Sequence, residues 1–242
     1  MRIDMPVFIK TGPKLYRVGD SVCLKDKTGN ITWCYHGKRH KGIAIVACAR
    51  SATMYTVHVL RALGYQIGHE EMGEDGSIGY HLVAIKPKNC FHQVREPIKQ
   101  ISSMVAHNSW GFMLDVVDIN DTNLLGCMQY WLKWNELCEE FCVWRYQIER
   151  FPDVWPEFLD RIGHEQCELP NIKTDINSSK QEKYRKKKKY KLFTWADLFN
   201  EDRELAQQIK EKAEYYGYSP IMDKELTDSN PGQLERAMVA SV

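Results

Sequence analysis

The chain has 242 residues, with 33 lysines and arginines against 32 aspartates and glutamates, and 43% of it is hydrophobic. That length holds one large domain, or one domain with a small appendage, and the balanced charge leaves any case for a nucleic-acid partner to local clusters. No stretch approaches the roughly 20 apolar residues of a membrane span, and the opening MRIDMPVFIKTGPKLYR lacks the apolar core of a signal peptide. A cytoplasmic protein is therefore expected, with its eight cysteines reduced and mostly buried. None forms a CxxC pair, and Cys138 and Cys142, one helical turn apart in a helical reading, are too sparse a motif for a metal site. The glycosylation sequons at Asn30 and Asn177 carry no weight without secretion.

In chain order, residues 1–41 read as β-structure, with short alternating runs split by Val-Gly-Asp, Lys-Thr-Gly-Asn and His-Gly-Lys. The run DKTGNITWCYHGKRHKG resembles a small β-repeat of many bacterial and phage proteins, which points to such a source and to an edge packed on the main domain. Residues 42–47 (GIAIVA) are apolar throughout, as suits a parallel strand covered on both faces. Met54, Val57, His58 or Leu60, and Leu63 then recur at helical spacing up to Gly64. YQIGHE reads as a second strand, GEDGS as a turn, and NCFHQVRE as a third strand. Pro97 opens the helix PIKQISSMVAHNS at a position where proline is tolerated. This order predicts a three-layer α/β/α fold with a mostly parallel sheet, P-loop-like, over 42–220. The small N-terminal β-hairpin extension (1–41) and a peripheral tail (221–242) flank it.

Residues 122–150 read as one helix, with Met128, Trp131, Leu132, Cys138, Phe141, Cys142, Arg145 and Ile148 on a core-facing stripe. Residues 171–191 form a polar, lysine-rich linker that contains the basic run 185–189. A further helix spans 194–217, with Thr194 and Asp197 as a cap-like start and Gly217 as its end.

The chemistry gathers where strands end. A turn between a parallel strand and a helix lies at the carboxyl edge of the sheet, where open α/β folds bind ligands. The helix that follows points free amides and the positive end of its dipole at that edge. In ACARSATMY the small residues let an oxyanion approach the backbone, Ser51 and Thr53 add hydroxyls, and Arg50 adds a planar cationic fork. The turn lacks the glycines and lysine of a Walker loop. Read alone, it is equally a plain turn with a capping serine. The segment HQVREPIKQISSM repeats the logic with Arg95 at a strand end and Ser103 two turns into the next helix. Two such sites side by side suit a ligand with phosphates at both ends.

These segments together resemble the sulfotransferases that use 3′-phosphoadenosine 5′-phosphosulfate (PAPS). That family has a [KR]-S-G-T-[TS] loop after its first strand, and an R-[DN]-P segment with a serine eight residues beyond the arginine. Here Arg50, Ser51, Ala52, Thr53 and Met54 match the first, and Arg95, Glu96, Pro97 and Ser103 the second, over a stretch from Gly42 to Tyr218. Ala52 stands in place of glycine, Met54 in place of a hydroxyl residue and Glu96 in place of Asp or Asn. The C-terminal R-K-G segment of the cytosolic enzymes is absent, and the basic run 185–189 sits in a place to substitute for it. The resemblance implies that residues 50–54 grip the 5′-phosphosulfate and that Arg95 and Ser103 grip the 3′-phosphate. It implies sulfuryl transfer to a hydroxyl of a carbohydrate or small acceptor, release of the bisphosphate product PAP, and no need for metal. Arg50 would stabilise the leaving phosphate. Glu70 is the first candidate for the general base and His69 the second, with Glu71 and His81 beside them. Asp75, Arg145 and Tyr146 are more remote candidates. A small kinase and a non-catalytic nucleotide- or nucleic-acid-binding protein on the same fold are the alternatives; neither a membrane nor a nucleic-acid partner is expected of the leading reading.

Overall fold

The computed structural model describes residues 42–107, 117–172 and 190–219, together with three N-terminal strands. The basic run 185–189 and the tail 221–242 lie outside the described residues. The strands β1 (Lys14–Val18), β2 (Ser21–Lys25) and β3 (Ile31–His36) pair antiparallel as β1-β2-β3 in a sheet of their own.

The larger sheet has five parallel strands: β4 (Ile43–Ala47), β5 (Ile67–His69), β6 (Gly76–Ile78), β7 (Cys90–Val94) and β8 (Cys142–Gln147), in the order β5-β6-β4-β7-β8. Every residue of β4 is buried, because helices cover both faces of this central strand. Ile43 and Ile45 pack toward α1 (Thr53–Ala62) and α5 (Phe151–Ile162), through Val57, Val59, Leu60, Phe151 and Phe158. Ala44 and Val46 pack toward α3 (Pro97–Ala106), α4 (Leu124–Glu139), α6 (Trp195–Glu201) and α7 (Arg203–Tyr215). The short α2 (Leu82–Ile85) completes the set. The fold is therefore a three-layer α/β/α sandwich, as the alternation of strand and helix signals implies. No described helix is long and apolar enough to cross a membrane.

Three expectations are corrected. First, the supposed helix over 122–150 ends at Glu139, and CVWRYQ is the edge strand β8. The spacing of Cys138, Phe141, Cys142 and Arg145 would continue the helical stripe, but pairing with β7 overrides it. Cys142 therefore lies beside Cys90, not one helical turn from Cys138, and Arg145 and Ile148 leave the helix as well. The chain then enters α5, in a stretch between the expected helix and the linker at 171–191 to which the sequence reading gave no element. Second, GEDGS is not all turn: its last two residues open the strand β6, inserted between β5 and β4. Neighbouring parallel strands normally need a crossover of a dozen or more residues, but strands of three residues allow a return over 70–75. Gly76 makes it fit: its φ is +139°, and a Cβ there would lie 2.0 Å from the Ile43 carbonyl oxygen. Third, the helix over 194–217 is two helices that meet at Asp202, which caps α7 by accepting from the Leu205 amide. Thr194 and Asp197 do form a reciprocal capping box.

Candidate anion-binding site

The carboxyl ends of the five parallel strands form one edge, and the candidate residues lie along it. The turn from β4 into α1 occupies its middle. Arg50 (φ +67°) and Ala52 (φ +61°) both adopt left-handed backbone, with Ser51 between them. Such alternation curls successive amides into an anion-binding concavity. Ala52 is the N-cap of α1 but offers no side-chain cap, and the first turn of α1 has no acidic residue. The amides that open α1 thus have no side-chain cap from their own helix, although the Tyr55 amide donates to the Ala52 carbonyl at 2.9 Å.

Two buried glutamines hold this turn. Gln100, on α3, donates from Nε2 to the Ala49 carbonyl at 2.7 Å and to Ser51 Oγ at 2.6 Å, with the Cys48 carbonyl at 3.2 Å. Its Oε1 accepts from Trp131 Nε1 at 2.9 Å. Gln93, on β7, donates to the Ser51 carbonyl, and its Oε1 accepts from Thr56 Oγ1 at 2.7 Å and Tyr146 OH at 2.8 Å. Each amide is satisfied at both ends, so neither rotates without leaving a buried polar atom unpaired. Sequence reasoning missed both residues. Their one local signal is a neutral amide inside an apolar strand or on a buried helix face. Ser51 is itself fully buried, and its hydroxyl donates inward to the Cys48 carbonyl at 2.7 Å. It therefore presents backbone to the edge rather than the hydroxyl donor the sequence suggested.

The turn after β7 comes to meet the first. Arg95 Nη1 donates to the Arg50 carbonyl at 2.8 Å, and Arg50 Nε donates to Ser103 Oγ at 3.1 Å. Arg50, Arg95 and Ser103, separated by up to 53 positions, are thereby joined. Glu96 is the N-cap of α3 and accepts from the Ile98 amide at 3.0 Å and the Lys99 amide at 2.7 Å. Burial raises its carboxyl pKa, against the pull of those two amides. It performs the capping that Asp or Asn would perform.

His69 ends β5, and its Nε2 lies 3.0 Å from Thr53 Oγ1 on the first turn of α1. Burial lowers the His69 pKa below its usual value, so the ring is neutral at neutral pH. Glu70 follows in left-handed backbone (φ +58°) and is exposed. Tyr80 lies nearby, its phenol pushed up to about 12 by burial and by Glu70. Met54 is half-buried in the first turn of α1. The more remote candidates fall away from this edge cluster. Asp75 accepts from the Gln66 amide at 2.6 Å and fixes a turn, and Tyr146 lies in the core against Gln93. Arg145 stacks on the Tyr215 and Tyr216 rings, 4.4 Å from each centroid, and pairs with Glu139. His81 is buried with Nε2 3.0 Å from Ser77 Oγ, whose hydroxyl reaches the Glu71 carbonyl. No group of three or more metal-ligating side chains occurs among the described residues.

No protein-family model matches the chain, and no curated protein matches it. Among solved structures it is similar to the crystal structure of mouse sulfotransferase SULT7A1 complexed with PAP. That similarity has a TM-score of 0.40 and 14% identity, over 73% of this chain and 84% of that one.

Proposed function

We propose that the chain is a sulfotransferase that moves a sulfuryl group from PAPS to a hydroxyl of a carbohydrate or other small acceptor. The observation that carries this reading is the junction of two strand-end turns: Arg50 on Ser103 at 3.1 Å and Arg95 on the Arg50 carbonyl at 2.8 Å, beside the uncapped start of α1. Two guanidinium groups, a serine hydroxyl and a set of helix-opening amides are the donor set for a bisphosphorylated nucleotide. The turn has no lysine and no glycine, which counts against a kinase.

In this reading the amides of residues 51–53 and the Arg50 guanidinium receive the 5′-phosphosulfate, and Arg95 with Ser103 receives the 3′-phosphate. The acceptor oxygen forms a bond to sulfur as the bond from sulfur to the phosphate oxygen breaks, and that oxygen leaves with the electron pair. Arg50 and the amides stabilise the growing charge. The acceptor's proton passes to a base at the end of β5. His69, neutral and 3.0 Å from Thr53 of the turn, suits that role, with Glu70 as the alternative. Binding and positioning by Arg50, Arg95 and Ser103 require no metal.

A thermal melt with PAP, and with ATP in parallel, tests this. PAP at about 100 times its dissociation constant adds roughly 2.7 kcal/mol. That raises Tm by about 5–10 °C in a domain of this size. A shift with PAP and little with ATP supports the reading; no shift with PAP removes its cofactor and leaves a non-catalytic role on this fold.

A further inference from the structure

The Arg95 site already contains an anion of the protein's own. Glu149, in the single 3₁₀ turn between β8 and α5, brings Oε1 to 4.0 Å from Arg95 Nε and accepts there from the Glu96 amide at 3.0 Å. Its Oε2 accepts from the Tyr218 hydroxyl at 2.8 Å. The phenol arrives by a specific path. Gly217 ends α7 in left-handed backbone (φ +82°), and the amides of Gly217 and Tyr218 donate back to the carbonyls of Glu214 and Ala213. This terminal motif turns the chain off the helix axis and brings Tyr218 to Glu149. Burial, and then the Glu149 charge, push the Tyr218 pKa up, so the phenol remains a donor at neutral pH.

One carboxylate thus collects a guanidinium, a backbone amide and a phenol. That is the donor set a phosphate monoester takes. We infer that Glu149 is a built-in competitor for the 3′-phosphate: its carboxylate stands in for a terminal phosphate beside Arg95, and a 3′-phosphorylated nucleotide must displace it to bind there. This rests on the nucleotide reading above. A hydroxyl at that end of the nucleotide has no charge with which to displace the carboxylate and takes no part in the exchange. A phosphate dianion does, and it gains both Arg95 and the Glu96 amide. Glu149 therefore weakens the binding of a 3′-phosphorylated nucleotide and leaves one that lacks that group unaffected, so it narrows the site's preference for the 3′-phosphate.

The test is calorimetric titration of the full chain and its Glu149→Gln variant with PAP and with adenosine 5′-monophosphate. The glutamine keeps its oxygen for the Glu96 amide, turns its NH2 to the Tyr218 oxygen, which then accepts, and removes the charge. The expected result is a gain of about tenfold in PAP affinity and less than about twofold for the monophosphate. A Glu149→Ser variant gives the same direction. Unchanged or weaker PAP binding overturns the inference, as does an equal gain for both ligands, which would be a general charge effect. If wild-type protein binds PAP and the variant shows no selective gain, only this inference falls. If neither protein binds PAP, the nucleotide reading falls and takes it along.

Discussion

The turns after β4 and β7 look alike in sequence, each an arginine at a strand end followed by a helix, yet they are built in opposite ways. The helix after β7 is closed by its own chain: Glu96 takes two of its first amides and Pro97 has no amide to offer. The helix after β4 is open, because Ala52 offers no side-chain cap and no acid follows it in the first turn. An anion at the first turn therefore meets backbone, and one at the second meets the side chains Arg95 and Ser103. Backbone donors are fixed in place and suit a group whose charge grows during reaction. Side-chain donors suit a group that is only held. Under the proposed function, the difference puts the reacting end of the nucleotide at β4 and the anchoring end at β7.

Substitution of the two arginines tests this division with the largest effect. Arg50→Ala should lower kcat by about 10² to 10³, as loss of one preorganised donor to a developing charge does. Arg95→Ala should instead weaken PAP binding with a much smaller change in kcat at saturation. Steady-state kinetics with PAPS, alongside titration with PAP, separates the two. Equal losses in kcat from both variants would erase the distinction between the turns.

Acidification attacks the strand beneath both turns. His92 lies in the middle of β7, next to Gln93, with Nε2 3.0 Å from Asn135 Oδ1 and no hydrogen-bond partner for Nδ1. Burial lowers its pKa to about 4, so the folded protein holds it neutral. The unfolded chain takes up the proton near pH 6.5. Stability is therefore unaffected above that value and falls as pH drops from about 6.5 to 4, by up to about 3 kcal/mol. His92→Gln should flatten this part of the Tm–pH curve relative to wild type. Parallel curves for the two proteins would show that His92 is not the responsible group.

The glutamine supports give the next effect. Gln100→Leu strands Trp131 Nε1, and it removes the donor to Ala49 and Ser51. An unpaired buried donor costs about 1–3 kcal/mol, so urea unfolding should show a loss of about 2 kcal/mol. Because Gln100 touches only the first turn, the loss of PAP affinity should come with a reduced kcat. Glu96→Ala, which uncaps α3, should cost about 1 kcal/mol and leave kcat unchanged.

What could be read in the sequence divides along the same physical line. The apolar run of β4, Pro97 at the start of α3 and the Thr194–Asp197 box are local signals, and each element forms where its residues favour it. The strand β6 is three residues long and exists because Gly76 fits under Ile43, a contact that no periodicity encodes. The strand β8 carries a spacing that also satisfies a helix, and only its pairing with β7 decides. At the candidate site, Arg50, Arg95 and Ser103 could be picked out by residue type and position. Gln93, Gln100 and Glu149 could not, since their meaning lies in bonds that span 31 to 69 positions.

The smallest effect bears most directly on why the first turn is open. Ala52 holds φ +61° and ψ +29° with its side chain exposed, so packing does not confuse the result. Left-handed backbone costs an L-residue about 1–2 kcal/mol, and glycine escapes that cost but adds about 0.5–1 kcal/mol of unfolded-state entropy. Ala52→Gly should therefore raise stability by about 0.5 kcal/mol. Ala52→Val, with a β-branched side chain in the same backbone, should lower it by more than about 1 kcal/mol. If the left-handed turn is what aims the amides at the anion, the glycine variant keeps PAP affinity while the valine variant loses it. If both variants bind PAP as wild type does, the amides of this turn are not the receptor, and the reacting end of the nucleotide must rest on Arg50 alone.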